Sequence, residues 1–337
     1  MSIVWRFLKT IVVVGVIAIL LAGASLYVAM NVLTNHTVAE VDIPSGASVA
    51  EMGERLANAG VTRTPHVFSL WVRLAGQDGM LKAGYYEFLP GMTLRQVADK
   101  IRRGEVKYFP LAIIEGWTLE DITRALNEQP FLKGTDVVDR FRALCHDRAF
   151  IELLGFSGVD SLEGYLFPDT YHITHAYTAE EIIRQLVARF HEVFTSTNEE
   201  RAKAVGLTVH QVVTLASIVE KETGKSEERP LIASVFLNRL KLGMPLQSDP
   251  TVIYGLPHFD GNLHKGDLSN PHRYNTYVHA GLPPGPIASP GQASLEAVLA
   301  PAQTDYLYFV AKGDGSHEFT RTLAEHLRAV MQYQLQR

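Results

Sequence analysis

Two glutamates, Glu220 and Glu222, lie near the end of the apolar stretch LTVHQVVTLASIVEKETG at residues 207–224. Its spacing predicts one helix whose last turn carries both acids, and Gly224 suits the left-handed position just past a helix end. A carboxyl pressed against apolar surface loses hydration, which raises its pKa and suits a general acid. The alternative is a helix-end acid bonded to an arginine or to backbone groups, and the helix alone does not separate the two.

The chain after this helix has the composition of a binding segment. Residues 243–290 contain six glycines and eight prolines, together with Tyr254, Phe259, Tyr274 and Tyr277. Long irregular segments inside a domain are usually functional or disordered, and the aromatic content argues against disorder. Aromatic faces, amides and rigid proline turns suit sugar rings. We therefore expect a saccharide groove beside the glutamate helix, the alternative being a structural lid packed on the core.

Elements that precede the glutamate helix predict two folded parts in an α+β protein. Three segments, at residues 44–61, 89–106 and 114–130, share a Gly-x-Ser/Thr pattern followed by helical periodicity. Strand-like runs accompany two of them, which predicts a small α+β module at residues 36–112. The remainder, residues 113–337, is predicted to be a helix-rich mixed domain that ends in a β-hairpin and a last helix.

An apolar run of twenty residues, 11–30, is long enough to cross a membrane as a helix. Arg6 and Lys9 precede it, so the start of the chain is expected to stay cytoplasmic and the rest to lie outside. The predicted arrangement is a cytoplasmic tail at residues 1–9 and a transmembrane anchor at residues 10–33. The small residues around Gly23 would suit a cleaved signal peptide instead, but apolar residues continue beyond them and favour a retained anchor.

Composition excludes several classes of function. The net charge of -5 argues against a nucleic-acid partner. A lone cysteine, Cys145, forms no internal disulfide and is expected to be a small core residue. No Cys/His spacing of a zinc site and no phosphate-binding glycine loop occurs, so neither a metal nor a cofactor is expected.

Four blocks of sequence resemble one known family. They are ASIVEKET at 216–223, FLNRLKLGMPLQSDPTVIYG at 236–255, YNTYVHAGLPPGPIASPG at 274–291 and YLYFVAKGDGSHEFTRTLAEH at 306–326. In this order and spacing they resemble the endolytic murein transglycosylase family, also called YceG-like or MltG. The resemblance implies a LysM-like module, a catalytic domain on the periplasmic side of the inner (cytoplasmic) membrane, and peptidoglycan synthases as partners.

The resemblance implies a peptidoglycan lyase that needs no cofactor, with its catalytic glutamate at Glu220 and with Glu222 dispensable. Such an enzyme cuts the MurNAc-GlcNAc β-1,4 bond within glycan strands, and it is expected to end the elongation of nascent strands. The muramoyl C6 hydroxyl attacks C1, so a single carboxyl serves as acid and then as base, and the product carries a 1,6-anhydroMurNAc end. Residue type and position add saccharide-binding candidates: Ser217, Gln247, Ser248, Asp249, Tyr254, Tyr274, Asn275 and Tyr277.

Two alternatives stay open. Hydrolytic glycosidases usually use two carboxylates, so Asp249 as a second acid would make the protein a hydrolytic muramidase. An anchored chain with a glycan-binding module could instead be a non-catalytic scaffold of the cell-wall synthesis machinery.

Overall fold

A computed structural model describes residues 2–31 and 37–335. The predicted end of the anchor at residue 33 and the predicted start of the module at residue 36 lie outside these described residues. Within them, one helix is long and apolar enough to cross a membrane, with a segment of mean hydropathy 2.5 at Phe7–Ser25.

Regular structure is mostly helical. The helices are α1 Ser2–Asn31, α2 Val49–Asn58, α3 Pro65–Leu74, α4 Leu94–Arg103, α5 Leu119–Asn127, α6 Val137–Leu144, α7 Arg148–Leu153, α8 Ala179–Val193, α9 Ser196–Ala204, α10 Val209–Glu222, α11 Arg229–Lys241, α12 Asp249–Gly255, α13 Gln292–Leu299 and α14 Leu323–Val330. The strands are β1 Ala39–Ile43, β2 Gly84–Phe88, β3 Phe109–Ala112, β4 Thr170–Ile173, β5 Tyr308–Ala311 and β6 His317–Thr320.

The first of two compact units comprises Met1–Phe109 and His172–Ala176. In it β1 pairs antiparallel with β2, with Ile43 opposite Gly84. Because α2 and α3 lie between these strands in the chain, the order is β-α-α-β, followed by α4. Its apolar core is lined by side chains of both strands and all three helices: Val41, Ile43, Met52, Leu56, Phe68, Trp71, Val72, Tyr86, Phe88, Leu94, Val97 and Ile101.

The second unit comprises Pro110–Tyr171 and Tyr177–Arg337. Its central helix, α10, packs against α11, α12 and α13. A capping box closes the start of this helix, because Thr208 Oγ1 accepts a hydrogen bond from the Gln211 backbone and the Gln211 side chain accepts one from the Thr208 backbone. The helix is buried on every side from residue 212 to 219, so only its two end turns approach solvent.

Two features of this unit compare directly with the predictions. The C-terminal hairpin is confirmed, since β5 and β6 pair antiparallel with Val310 opposite Glu318. The left-handed position predicted for Gly224 is wrong. Helix α10 ends at Glu222, the next residue, Thr223, is extended at φ −145°, and Gly224 has no positive φ.

Candidate active site

Glu222 is the last residue of α10, and its side chain is partly buried. The Ser248 hydroxyl donates a hydrogen bond to its Oε1 at 2.5 Å. Loss of hydration raises the pKa of Glu222 to about 7, the Ser248 hydrogen bond and the Arg239 charge oppose that rise, and the Asp249 charge adds to it. The raised pKa means that the neutral form of the Glu222 carboxyl persists to higher pH than that of an ordinary glutamate.

Glu222 lines an open cavity of about 400 Å³. Its walls come from the ends of α10 and α11, the chain leading into α12, the β5–β6 hairpin and α14. The lining side chains include Arg239, Leu246, Gln247, Asp249, Tyr277, Phe309, Val310, His317 and His326. Acidic, amide and aromatic side chains thus face one space.

Three of the predicted saccharide-binding residues meet in this cavity. The Tyr277 hydroxyl donates to Asp249 Oδ1 at 2.6 Å. Gln247 is held by its backbone, whose N–H donates to the Thr276 carbonyl at 3.1 Å. Its φ of +52° is the only positive value at a non-glycine residue within 2–31 and 37–335. A fourth candidate, Ser248, does not line the cavity, since it is only 2 % exposed. It contacts the site through its hydrogen bond to Glu222.

Glu220 lies in a different environment from Glu222. Its Oε1 accepts a hydrogen bond from Arg229 Nη2 at 2.8 Å, and its Oε2 accepts one from the Gly291 backbone at 2.9 Å. The side chains of Glu220 and Arg229 are only 5 % and 8 % exposed. Arg229 Nη2 also lies 3.8 Å from a carboxylate oxygen of Glu115, whose pKa is raised by burial and by the Glu220 charge. This is the ion-paired alternative given above for a helix-end acid.

Tyr254 and Tyr274 lie together elsewhere, with their ring centres 4.8 Å apart. Tyr254 lines a separate cavity of about 650 Å³ and donates a hydrogen bond to Glu163 Oε2 at 3.1 Å. Burial raises the pKa of Glu163 to about 7, although the Leu119 backbone N–H also bonds its carboxyl. The sequence interpretation did not single out Glu163. The available signal was an acid inside the aromatic segment LEGYLFPDTYHI at residues 162–173.

Ser217 and Asn275 hold the fold together and do not line either cavity. Ser217 is fully buried, where its hydroxyl donates to the Thr214 carbonyl at 2.7 Å and accepts from the Ile287 backbone at 3.0 Å. It therefore bonds neither Glu220 nor a solvent-borne sugar. The Asn275 amide, 1 % exposed, donates to the Asn270 carbonyl at 2.8 Å, so it stabilises the loop that carries the tyrosines.

The geometry around Glu222 is that of a site for acid–base chemistry. A partly buried carboxyl with a pKa near 7 is able both to give and to take a proton near neutral pH. The cavity beside it is open to solvent and presents hydrogen-bonding groups and aromatic rings.

Comparison with known proteins identifies the family. Residues 41–332 match the YceG-like family. The endolytic murein transglycosylase of Bacillus subtilis is 37 % identical over 315 residues, which cover 89 % of this chain and 86 % of that protein. The endolytic murein transglycosylase of Streptococcus pneumoniae is 32 % identical over 323 residues, covering 86 % of this chain and 58 % of that longer protein.

A solved structure gives the same result at the level of the fold. The crystal structure of a yceG-like protein from Listeria monocytogenes superposes with a TM-score of 0.59 at 34 % identity, covering 86 % of this chain and 98 % of that one. The chain belongs to the YceG-like family.

Proposed function

We propose that the protein is a peptidoglycan lytic transglycosylase that cuts the MurNAc-GlcNAc β-1,4 bond within glycan strands and leaves 1,6-anhydroMurNAc ends. Membership of the family and the activity named for the Bacillus and Streptococcus relatives support this function. Cleavage inside nascent strands would end their elongation. The observation that carries the proposal is the Glu222 carboxyl, which faces an open cavity with a pKa of about 7.

Glu222 is the proton-transferring group of this proposal. Its neutral form protonates the glycosidic oxygen as the bond to C1 breaks, and the resulting carboxylate takes the proton of the muramoyl C6 hydroxyl as that oxygen bonds to C1. The substrate supplies the nucleophile, so no second carboxylate is needed. Glu220 stays the prediction from the family resemblance, but its bonds to Arg229 and Gly291 engage both carboxylate oxygens.

Saccharide binding is proposed for residues of the Glu222 cavity and for the tyrosine pair outside it. Gln247, Asp249 and Tyr277 would bond sugar hydroxyls and acetamido groups beside Glu222, because they share its cavity. Tyr254 and Tyr274 would bind by ring stacking farther from the reacting bond.

The first unit is proposed to be a LysM-like glycan-binding module. Its β-α-α-β order and its own apolar core support an independently folded module. Helix α1 is proposed to anchor the chain in the inner membrane, with the second unit on the periplasmic side, because the apolar segment Phe7–Ser25 is long enough to span. Peptidoglycan synthases are proposed as protein partners of the anchored enzyme.

Product analysis tests the activity. Full-length protein in detergent is incubated with uncrosslinked glycan strands, and the products are weighed by mass spectrometry. Anhydro ends, lighter by one water than reducing ends, are expected. Reducing ends as the main product would identify a hydrolytic muramidase, and binding to sacculi without release of fragments would identify a scaffold.

Two matched variants test the residue assignment. Glu222→Gln keeps the size and hydrogen bonding of the side chain but transfers no proton, so activity should fall by about 10² to 10⁴. Glu220→Gln keeps one acceptor oxygen for Arg229 or Gly291 and loses the other, so it weakens this cluster but removes no group that faces the cavity, and we expect it to retain measurable cleavage. The reverse pattern would assign the chemistry to Glu220.

A further inference from the structure

We propose that two neighbouring residues, Ser248 and Asp249, set the protonation state of the Glu222 carboxyl in opposite directions. The inference rests on the proposed role of Glu222 in proton transfer. Both residues lie at the start of α12, which packs against α10. In this effect both act as positioning residues, because it reaches the reaction through Glu222, separately from the sugar contact proposed for Asp249.

Ser248 favours the charged form of Glu222. Its hydroxyl donates to Glu222 Oε1 at 2.5 Å, and a donor to a carboxylate stabilises the ionised state. The position of Ser248 is fixed by its surroundings. The Ser248 backbone N–H donates to Thr276 Oγ1 at 3.0 Å, its carbonyl accepts from Thr251 Oγ1 at 2.6 Å, and its side chain is 2 % exposed.

Asp249 favours the neutral form of Glu222. Its carboxylate lines the same cavity, and a like charge nearby disfavours ionisation. The hydrogen bond from the Tyr277 hydroxyl to Oδ1 fixes the Asp249 charge in the cavity wall, although Asp249 itself is exposed. Burial and this bond raise the pKa of Tyr277, so the phenol stays a neutral donor throughout the working range.

Other charged and titratable groups also face the Glu222 cavity. From α11, Arg239 is fixed by bonds from Nε and Nη1 to backbone carbonyls. From α14, His326 has its pKa lowered by burial and by Arg239. From β6, His317 Nδ1 is bonded to Glu228 at 2.6 Å. All of these groups are retained in the variants below, so differences between the variants report Ser248 and Asp249.

The test is the pH dependence of kcat/KM, measured with full-length protein in detergent and uncrosslinked glycan strands. The alkaline limb reports loss of the proton from the general acid. Asp249→Asn should move this limb to lower pH and Ser248→Ala to higher pH, each by about half to one pH unit. The double variant should lie near the wild type. Tyr277→Phe removes the hydrogen bond that holds the Asp249 carboxylate in the cavity wall but leaves its charge. It should therefore move the alkaline limb to lower pH, as Asp249→Asn does.

A second measurement does not depend on activity. The infrared carboxyl band that is present in the wild type and absent in Glu222→Gln is titrated in each background. Opposite displacements of its midpoint in Ser248→Ala and Asp249→Asn are expected. A residue that only supports the fold would lower kcat/KM without opposite shifts.

The outcomes separate this inference from the proposed function. Equal or absent displacements of the infrared midpoint would overturn the inference, even if Glu222→Gln proved inactive. An active Glu222→Gln protein would overturn the proposed proton transfer. Opposite infrared displacements would then still support the influence of Ser248 and Asp249 on Glu222 while contradicting its part in the reaction.

Discussion

Glu222 should lower the stability of the folded protein at neutral and alkaline pH, and replacing it with glutamine should restore that stability. An unfolded glutamate ionises near its ordinary pKa of 4.5, whereas folded Glu222 ionises near 7. Between these values the folded state binds more protons than the unfolded state, so the free energy of unfolding falls as the pH rises. The stability is present in full below pH 4.5 and is lost as the pH passes through 7.

The size of the effect follows from the two pKa values. At about 1.4 kcal/mol per pKa unit, a rise from 4.5 to about 7 corresponds to at most roughly 3 kcal/mol. Solvent reaches part of the side chain, so we expect about 1 to 3 kcal/mol. Glu222→Gln keeps an acceptor for Ser248, and it should therefore match the wild type near pH 4.5 and exceed its stability by this amount at pH 8.

Urea unfolding followed by tryptophan fluorescence is the assay. The chain has three tryptophans, and in a Trp5→Phe/Trp71→Phe background Trp117 alone reports the second unit. Glu152→Gln, at an exposed position of α7, is the matched control and should follow the wild type at every pH. Glu163 is common to all these proteins, so its own titration cancels in the difference. A stability difference between Glu222→Gln and wild type that does not change with pH would refute the reasoning.

Three further predictions concern the rest of the chain. Arg229→Met should destabilise the second unit by about 3 to 5 kcal/mol in urea unfolding, because it leaves a buried carboxylate without its partner; Arg140→Met, which breaks an exposed pair, should cost at most about 1 kcal/mol, and equal losses would contradict the argument. Ser217→Ala should cost about 1 to 3 kcal/mol, since the Ile287 N–H loses its acceptor, but should leave kcat of the folded protein unchanged; a large fall in kcat would instead indicate a direct role. Membrane-bound protein should begin at or next to Met1 by intact mass, and recovery of a shorter soluble form would disprove a retained anchor.

Local sequence signals predicted much of the fold. The caps of α4 and α5 follow from Thr93 with Gln96 and from Thr118 with Asp121, and both capping boxes are present. The extent of α10 and the β5–β6 hairpin were also readable from periodicity and turn residues. These features depend on residues that are close in the chain, which is why a single sequence contains them.

The identity of the carboxyl facing the cavity depends on distant residues. Glu220 and Glu222 are two positions apart with Lys221 between them, and the helical spacing places apolar side chains beside both. Their environments differ because Gly291, 71 residues along the chain, bonds Glu220, whereas Ser248 bonds Glu222. Glu163 was missed for the same reason, since Leu119, its backbone partner, is 44 residues away. A helical wheel shows which face an acid occupies but not which partner lies opposite.

The backbone of Gln247 limits how the protein could be engineered for stability. A non-glycine residue held at φ +52° stores strain of about 1 to 3 kcal/mol, so a screen for thermal stability alone would favour glycine there. Glycine would remove the amide that lines the cavity and would loosen the turn that leads directly to Ser248 and Asp249. The strain at position 247 therefore goes with an ordered site. A variant that releases this strain should unfold at a higher temperature but should hold Ser248 and Asp249 less firmly beside the Glu222 carboxyl.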